Sequence, residues 1–205
     1  PTAAASGKAL DDSTADLAIL PASQYFTYSD DVDLLMTATK PGVSVNSLNA
    51  ADWNGSAEHP TYTDEDCPYS RTLICATNSE TGRALAQSAK NGTLTWEELD
   101  RARWGVLSED SILGYRALNL WLADHYEGNT ISDLSQVKVY DSFAALLRAA
   151  ADGTVDLFPM DESQRDDWSE AWSLPQDETD SRGNAGFGRP GTIWEIGRAS
   201  CRERV

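Results

Sequence analysis

The sequence predicts an α/β fold with mainly parallel sheets. Three observations predict it: short apolar runs alternate with amphipathic stretches through the second half, the connections between them are short, and helix-opening residues follow the ends of the runs.

Taken in order, "ADLAILP" (residues 15–21) is an apolar run stopped by proline and "DVDLLMTAT" (31–39) is another, with a polar, aromatic segment between them; they read as buried strands flanking a short helix. A Gly, Asn and Ser-rich stretch (41–66) reads as loop, and "SRTLICATN" (70–78), rich in β-branched and small residues, reads as a third strand. In "TWEELDRARWGVLS", Thr95 is placed as a helix N-cap with Glu97 and Glu98 in the first turn, where the dipole favours acids, followed by a strand ending at Ser108. Tyr115, Leu118, Leu122 and Tyr126 recur at helical spacing and predict an amphipathic helix over 111–126, ended by Gly128. "QVKVYD" is then a strand, "SFAALLRAAADG" a helix closed by Gly153, "TVDLFPMDE" a strand and "SQRDDWSEAW" a helix. Residues 175–190 are polar and Gly-rich, as a linker or hinge would be, and no internal repeat appears.

Composition narrows the function. The 205 residues are 40% hydrophobic, enough for a real core, and carry 33 acidic against 16 basic side chains, a formal net charge of -17. That charge opposes contact with nucleic acid or an anionic membrane. The longest apolar runs fall far short of the roughly 20 residues that a membrane helix needs. With three cysteines, no C-x-x-C pair and only His59 and His125, a structural zinc site is not expected. Cys67 and Cys75 are compatible with a disulfide in an exported protein and equally with two thiols.

Both ends read as cut. "PTAAASGKALDD" has no initiating Met and no signal-peptide pattern. The last ten residues, "IGRASCRERV", can be written codon by codon as ATC GGA AGA GCG TCG TGT AGG GAA AGA GTG, which matches a short-read sequencing adapter. Residues 196–205 are therefore expected to be adapter read-through, the genuine chain stopping near Glu195 and Cys201 having no biological meaning.

The chemistry concentrates in "VLSEDSILGYRALNLWL", where Ser108, Asp110, Ser111 and Gly114 sit at a strand-to-helix junction. Ligands of open α/β sheets lie outside the carboxyl ends of strands, where loops lead into helix N-termini. The first helical turn exposes unpartnered backbone N–H groups and carries about half a positive charge, so it can hold an anion without Lys or Arg. Plain N-capping by Asp110 or Ser111, worth about 1 kcal/mol, is the competing reading.

Four stretches in this order, "ADLAILPASQYF", "SEDSILGY", "FAALLRAAADGTVDLFPMD" and "FGRPGTIWE", resemble the phosphate and phosphonate-type substrate-binding proteins of bacterial ABC importers, part of the transferrin-like group of two-lobed periplasmic binding proteins. The resemblance covers residues 6–195. It implies a two-lobed, type II periplasmic-binding-protein fold, incomplete here: residues 1–77 in lobe one, 78–176 in lobe two, 177–195 returning toward lobe one, the missing ends completing lobe one. Carried over by position, the ligand residues would be Ser23 and Tyr25; Asp110, Ser111, Ile112, Leu113, Gly114 and Tyr115 at the anion-holding turn; Ser142; and the carboxylate Asp161. Phosphonate binders have hydroxyl residues after the first Ser, where this chain has Ile112 and Leu113, and a His where Phe143 stands; what remains is a backbone anion site with fewer side-chain donors. The implied protein is an extracytoplasmic monomer, periplasmic or extracellular, anchored to a membrane or free. It would pass a small oxyanion to an ABC permease, with no cofactor, metal or enzymatic activity. A ligand-sensing domain of a membrane signalling kinase is the alternative.

Other residues read as structural. Most of the seven Trp residues, Trp121 among them, are expected to pack. Asp161, Glu162, Asp166 and Asp167 read as a solvated helix start rather than paired catalytic acids, and Ser111 has neither a G-x-S-x-G setting nor a His partner.

Overall fold

A computed structural model of the chain describes residues 3–28, 30, 32–47, 52–53, 60–189 and 198–199. It is mixed α/β. Contacts divide the chain into two units, residues 1–39 and 40–205.

In the first unit, α1 (Ala3–Asp11) packs on α2 (Ala22–Tyr28). Gly7 sits at the crossing, where a Cβ would stand 2.2 Å from Cε2 of the Tyr28 ring, so only glycine allows this approach. The two apolar runs expected as buried strands are not strands. Leu17 and Ile19 are 69% and 90% exposed, and Leu34, Leu35 and Met36 are exposed too. Apolarity sets the tendency to be buried, but a strand also needs a neighbour for its N–H and C=O groups. Among the described residues neither run has one.

The second unit holds two sheets. β1 (Lys40–Val43) and β2 (Tyr62–Cys67) form an antiparallel ribbon with Lys40 opposite Cys67 and Val43 opposite Tyr62. Both lie where the sequence reads as loop, because Pro41, Gly42 and the acidic run of β2 are poor strand formers. The larger sheet runs in the order β5-β4-β6-β3-β7, from β3 (Thr72–Ala76), β4 (Trp104–Val106), β5 (Val137–Val139), β6 (Leu157–Asp161) and β7 (Arg198–Ala199). β4 pairs parallel with β5 and β6, whereas β3 is antiparallel to β6 and β7. The expectation of a mainly parallel sheet is thus corrected to a mixed one: β6 reaches β3 on the side away from β4, and β3, although two helices join it to β4, runs antiparallel to the parallel β4-β5-β6 set.

The sheet is buried on both faces, and the period of two sorts its side chains. Leu73 and Cys75 of β3 with Phe158 and Met160 of β6 enter one core, with Leu146 and Leu147 of α6 (Phe143–Ala151), Trp172 and Phe187. Ile74 and Ala76 with Leu157, Trp104 and Val106 enter the other, with Leu118 and Leu122 of α5 (Ala117–His125), Leu85 of α3 (Glu80–Asn91) and Leu99 of α4 (Trp96–Arg101). Gly105 is what lets α6 lie close: a Cβ there would come 2.4 Å from Leu146 Cδ1.

The predicted helix ends hold for α4 and α6. Thr95 and Glu98 form a reciprocal capping box. Ser142 accepts from the N–H of Ala145 at 3.2 Å, and Gly153 beyond α6 takes φ 69°. α3 has no counterpart in the sequence reading, although its signals are present in Ser79, which accepts from Gly82 N, and Gly92, which closes it at φ 70°. The helix expected over "SQRDDWSEAW" is interrupted: α7 (Gln164–Asp167) and α8 (Ser169–Ser173) flank Trp168, whose ring meets Phe187 edge-on at 5.7 Å. Phe187 also packs on Trp172, so the polar stretch after α8 is seated on the core rather than free.

α5 carries the chain from β4 to β5 on one face of the sheet, and α6 carries it from β5 back past β4 to β6 on the other. The winding reverses between β4 and β6. Outside their carboxyl ends is where such a sheet leaves a crevice for a ligand.

Candidate functional site

At the carboxyl end of β4 the chain makes a turn in which the Ser111 N–H donates to Ser108 O at 2.8 Å, then opens its helix with one π-helical turn, Ile112–Arg116. The Arg116 N–H reaches back five residues to Ser111 O at 3.0 Å, and α5 follows without a break. The expected helix over 111–126 therefore forms, but its first turn is wider. Single π-turns of this kind gather at functional sites.

The turn is held from three sides. Leu107 N–H donates to Gly114 O at 3.0 Å, the Ser111 hydroxyl accepts from Gly114 N–H at 3.0 Å, and the Thr72 hydroxyl of β3 donates to Leu113 O at 3.0 Å. Gly114 is buried against Leu107, whose side-chain atoms would lie 2.6 Å from a Cβ. Arg116 donates from Nε to Glu109 O at 2.9 Å and pairs with the exposed Asp110 at 3.4 Å.

This geometry separates the predicted residues. Ser111 acts as a cap, so its own N–H and that of Gly114 are consumed inside the protein, which corrects the expectation that the whole run 111–114 offers donors. Among the described residues, no acceptor outside the helix meets the N–H groups of Ile112 and Leu113, the first two residues of the turn. The Tyr115 ring packs against the core under α5, and burial followed by the nearby Glu109 pushes its phenol pKa up.

Asp161, at the carboxyl end of β6, lies on the same sheet edge as Thr72, its Cα partner. Its Oδ1 accepts from the N–H and the hydroxyl of Ser163 at 2.9 and 2.7 Å, and Lys40 Nζ stands 3.8 Å from Oδ2. Ser142 follows β5 at this edge, its hydroxyl used as the cap of α6. Ser23 and Tyr25 belong to α2 in the first unit. The second unit thus brings together 110–115, Ser142 and Asp161 along one edge of one sheet.

Sequence reasoning missed the charge cluster beside them. Glu162 is 1% exposed at its side chain and is clamped by Lys40 at 2.7 Å and Arg71 at 3.2 Å. Arg71 also donates to the Tyr69 hydroxyl at 3.0 Å and to Asn46. Burial lowers its pKa, but the bonds to Tyr69 and Glu162 outweigh it and hold the guanidinium above its usual value. Tyr62 of β2 donates to Asp167 at 2.9 Å; burial first, then Asp167, pushes its pKa up. The available signal was the placement of two of the chain's few cations, one opening "KPGV" and one immediately before "TLICA".

Cys67 and Cys75 are free thiols. The described residues contain no group of three or more His, Cys, Asp or Glu able to hold a metal ion, and no helix among them is long and apolar enough to cross a membrane. The fold and this edge define a doubly wound α/β domain with open peptide donors at its reversal point. No family model matches the chain, and no curated protein gives a significant match.

Proposed function

We propose that the protein is an extracytoplasmic solute-binding protein of the two-lobed type that serves ABC importers, and that it captures a small oxyanion, phosphate or phosphonate-like. The single observation that carries the reading is the pair of open N–H groups at Ile112 and Leu113, placed at the carboxyl end of β4 where the winding reverses. Such donors, backed by the dipole of α5, hold negative charge without a dedicated cation, which suits a chain of net charge -17.

In this reading the second unit supplies the anion site, and Ser23 and Tyr25 are ligand residues on the resemblance alone. The ligand is bound without covalent chemistry and handed to a permease.

Intrinsic tryptophan fluorescence of the 205-residue protein, titrated with phosphate, methylphosphonate and sulfate in parallel with calorimetry, tests it. A saturable response to one of them, weakened by Leu113→Pro, which deletes one open N–H, is the expected result. Silence across the panel in both measurements overturns the assignment.

A further inference from the structure

β1 and β2 pair although both contain residues that strands avoid: Pro41 and Gly42 in one, Asp64, Glu65 and Asp66 in the other. A ribbon of two strands is marginal by itself, so this one depends on what fastens it. At one end Lys40 meets Glu162 at 2.7 Å and stands 3.8 Å from Asp161. At the other, Val43 enters the core and the Tyr62 hydroxyl donates to Asp167 at 2.9 Å. Between these anchors the three acids of β2 are exposed on successive residues.

Fastening the ribbon brings those acids to an end of the larger sheet that already carries Asp161, Glu162, Asp166 and Asp167. Among the described residues no cation pairs with Asp64, Glu65 or Asp66, because Lys40 and Arg71 are committed to Glu162, and Arg182 to Asp166 and Asp167. Like charges gathered in this way oppose the paired state, and parting the strands relieves them. Salt acts unequally on the two sides of that balance. The Debye length falls from about 30 Å at 0.01 M to about 3 Å at 1 M, so repulsion among exposed acids is screened away, while a pair whose carboxylate is 1% exposed keeps most of its attraction.

We propose that the β1–β2 ribbon is an ionic-strength-dependent element of the second unit: its strands pair fully in concentrated salt and part first when salt is diluted, withdrawing Lys40 from Glu162. Parting leaves the buried Glu162 carboxylate to Arg71 alone, a poorly compensated charge, so a change in the medium is felt at the sheet edge beside Asp161. The larger sheet, held by two apolar cores, responds far less. The inference is independent of the proposed transport role.

The 205-residue protein and its triple variant Asp64→Asn, Glu65→Gln and Asp66→Asn, which removes the charges and keeps the side-chain shapes, test the proposal in potassium chloride from about 0.02 to 2 M. Amide exchange is followed across Tyr62–Cys67 and Thr72–Ala76 and corrected for the intrinsic rate in each buffer. Acetylation of the Lys40 amine is followed against that of the exposed Lys90. Expected in the parent is exchange about tenfold slower across Tyr62–Cys67 at the highest salt, with less than about threefold change across Thr72–Ala76, and Lys40 acetylated several-fold faster at the lowest salt. The variant should be slow throughout. Equal salt responses in parent and variant, a Lys40 rate that ignores salt, or slowing that saturates below about 1 mM calcium, the mark of a discrete ion site, would each overturn the proposal.

Discussion

The hydroxyl of Thr72 donates to the carbonyl of Leu113 at 3.0 Å, binding the first residue of β3 to the middle of the π-helical turn forty-one positions later. Through this bond the strand that borders Asp161 fixes the height of the turn that carries the open N–H groups. Thr72→Val keeps the shape of the side chain and removes the hydroxyl's bond to Leu113 O. A loss of about 1–2 kcal/mol is expected in urea unfolding. Any oxyanion affinity should fall several-fold, because the turn is no longer held in register. An unchanged affinity in a destabilised protein would show that the turn keeps its geometry without the strand.

Asp156 has a different task. Arg103 meets its carboxylate through the backbone N–H at 3.0 Å, Nε at 2.9 Å and Nη2 at 2.6 Å, and the Ser79 hydroxyl adds a bond at 2.8 Å. Burial pushes its pKa up, but the bonds from Arg103 and Ser79 outweigh it and hold the carboxylate below its usual range. The folded-state pKa is therefore below the unfolded value of about 3.9. Its stabilisation is complete above that value and is lost as pH falls through the lower, folded pKa. Asp156→Ala should cost about 2–3 kcal/mol at neutral pH, the half-exposed Arg103 head limiting the figure. The variant should also lose less stability than the parent when unfolding is followed from pH 5 to pH 2.

Within the second unit the larger sheet from β3 to β6 was the legible part of the sequence, while β1, β2 and α3 were not read from it. Its strands are short apolar runs between helices, its caps are Thr95 and Ser142, and its stops are Gly128 and Gly153, all local signals. The site junction was legible for the same reason: serine and glycine follow the end of β4. What the sequence hid is non-local. Whether Glu162 is met by Lys40 and Arg71 depends on residues 122 and 91 positions away. The runs at 15–21 and 31–39 are apolar enough for strands, yet pairing requires a partner that local pattern does not reveal. The antiparallel placement of β3 escaped for the same reason, since a strand's composition does not record its direction.

Gly82 offers a test in which the sign decides. In the first turn of α3, helix propensity alone would favour alanine by about 1 kcal/mol. In the fold, a Cβ at this position would stand 2.3 Å from the backbone oxygen of Thr77. Backbone atoms cannot rotate away as a side chain can, so Gly82→Ala is expected to destabilise by about 3 kcal/mol, read as a lower denaturant midpoint with an unchanged slope. A higher midpoint would mean that α3 begins further from β3 than described.

Cysteine labelling separates surface from core. Cys75 lies at 0% exposure between β6 and the α6 layer, and burial pushes its thiol pKa up to about 11. Cys67 is half-buried in β2, its thiol donating to Tyr69 O at 3.3 Å. At pH 8 a thiol of pKa about 11 is ionised to roughly one part in a thousand, so Cys75 offers little reactive thiolate even before access is considered. Iodoacetamide should therefore modify Cys67 early, and Cys75 only through opening of the sheet, with peptide mapping distinguishing both from Cys201. Adding urea below the unfolding midpoint should speed Cys75 and leave Cys67 nearly unchanged, because only the buried thiol waits for the fold to open. Equal rates for the two in native buffer would place β3 at the surface and remove the two-faced core on which the whole arrangement of the sheet edge depends.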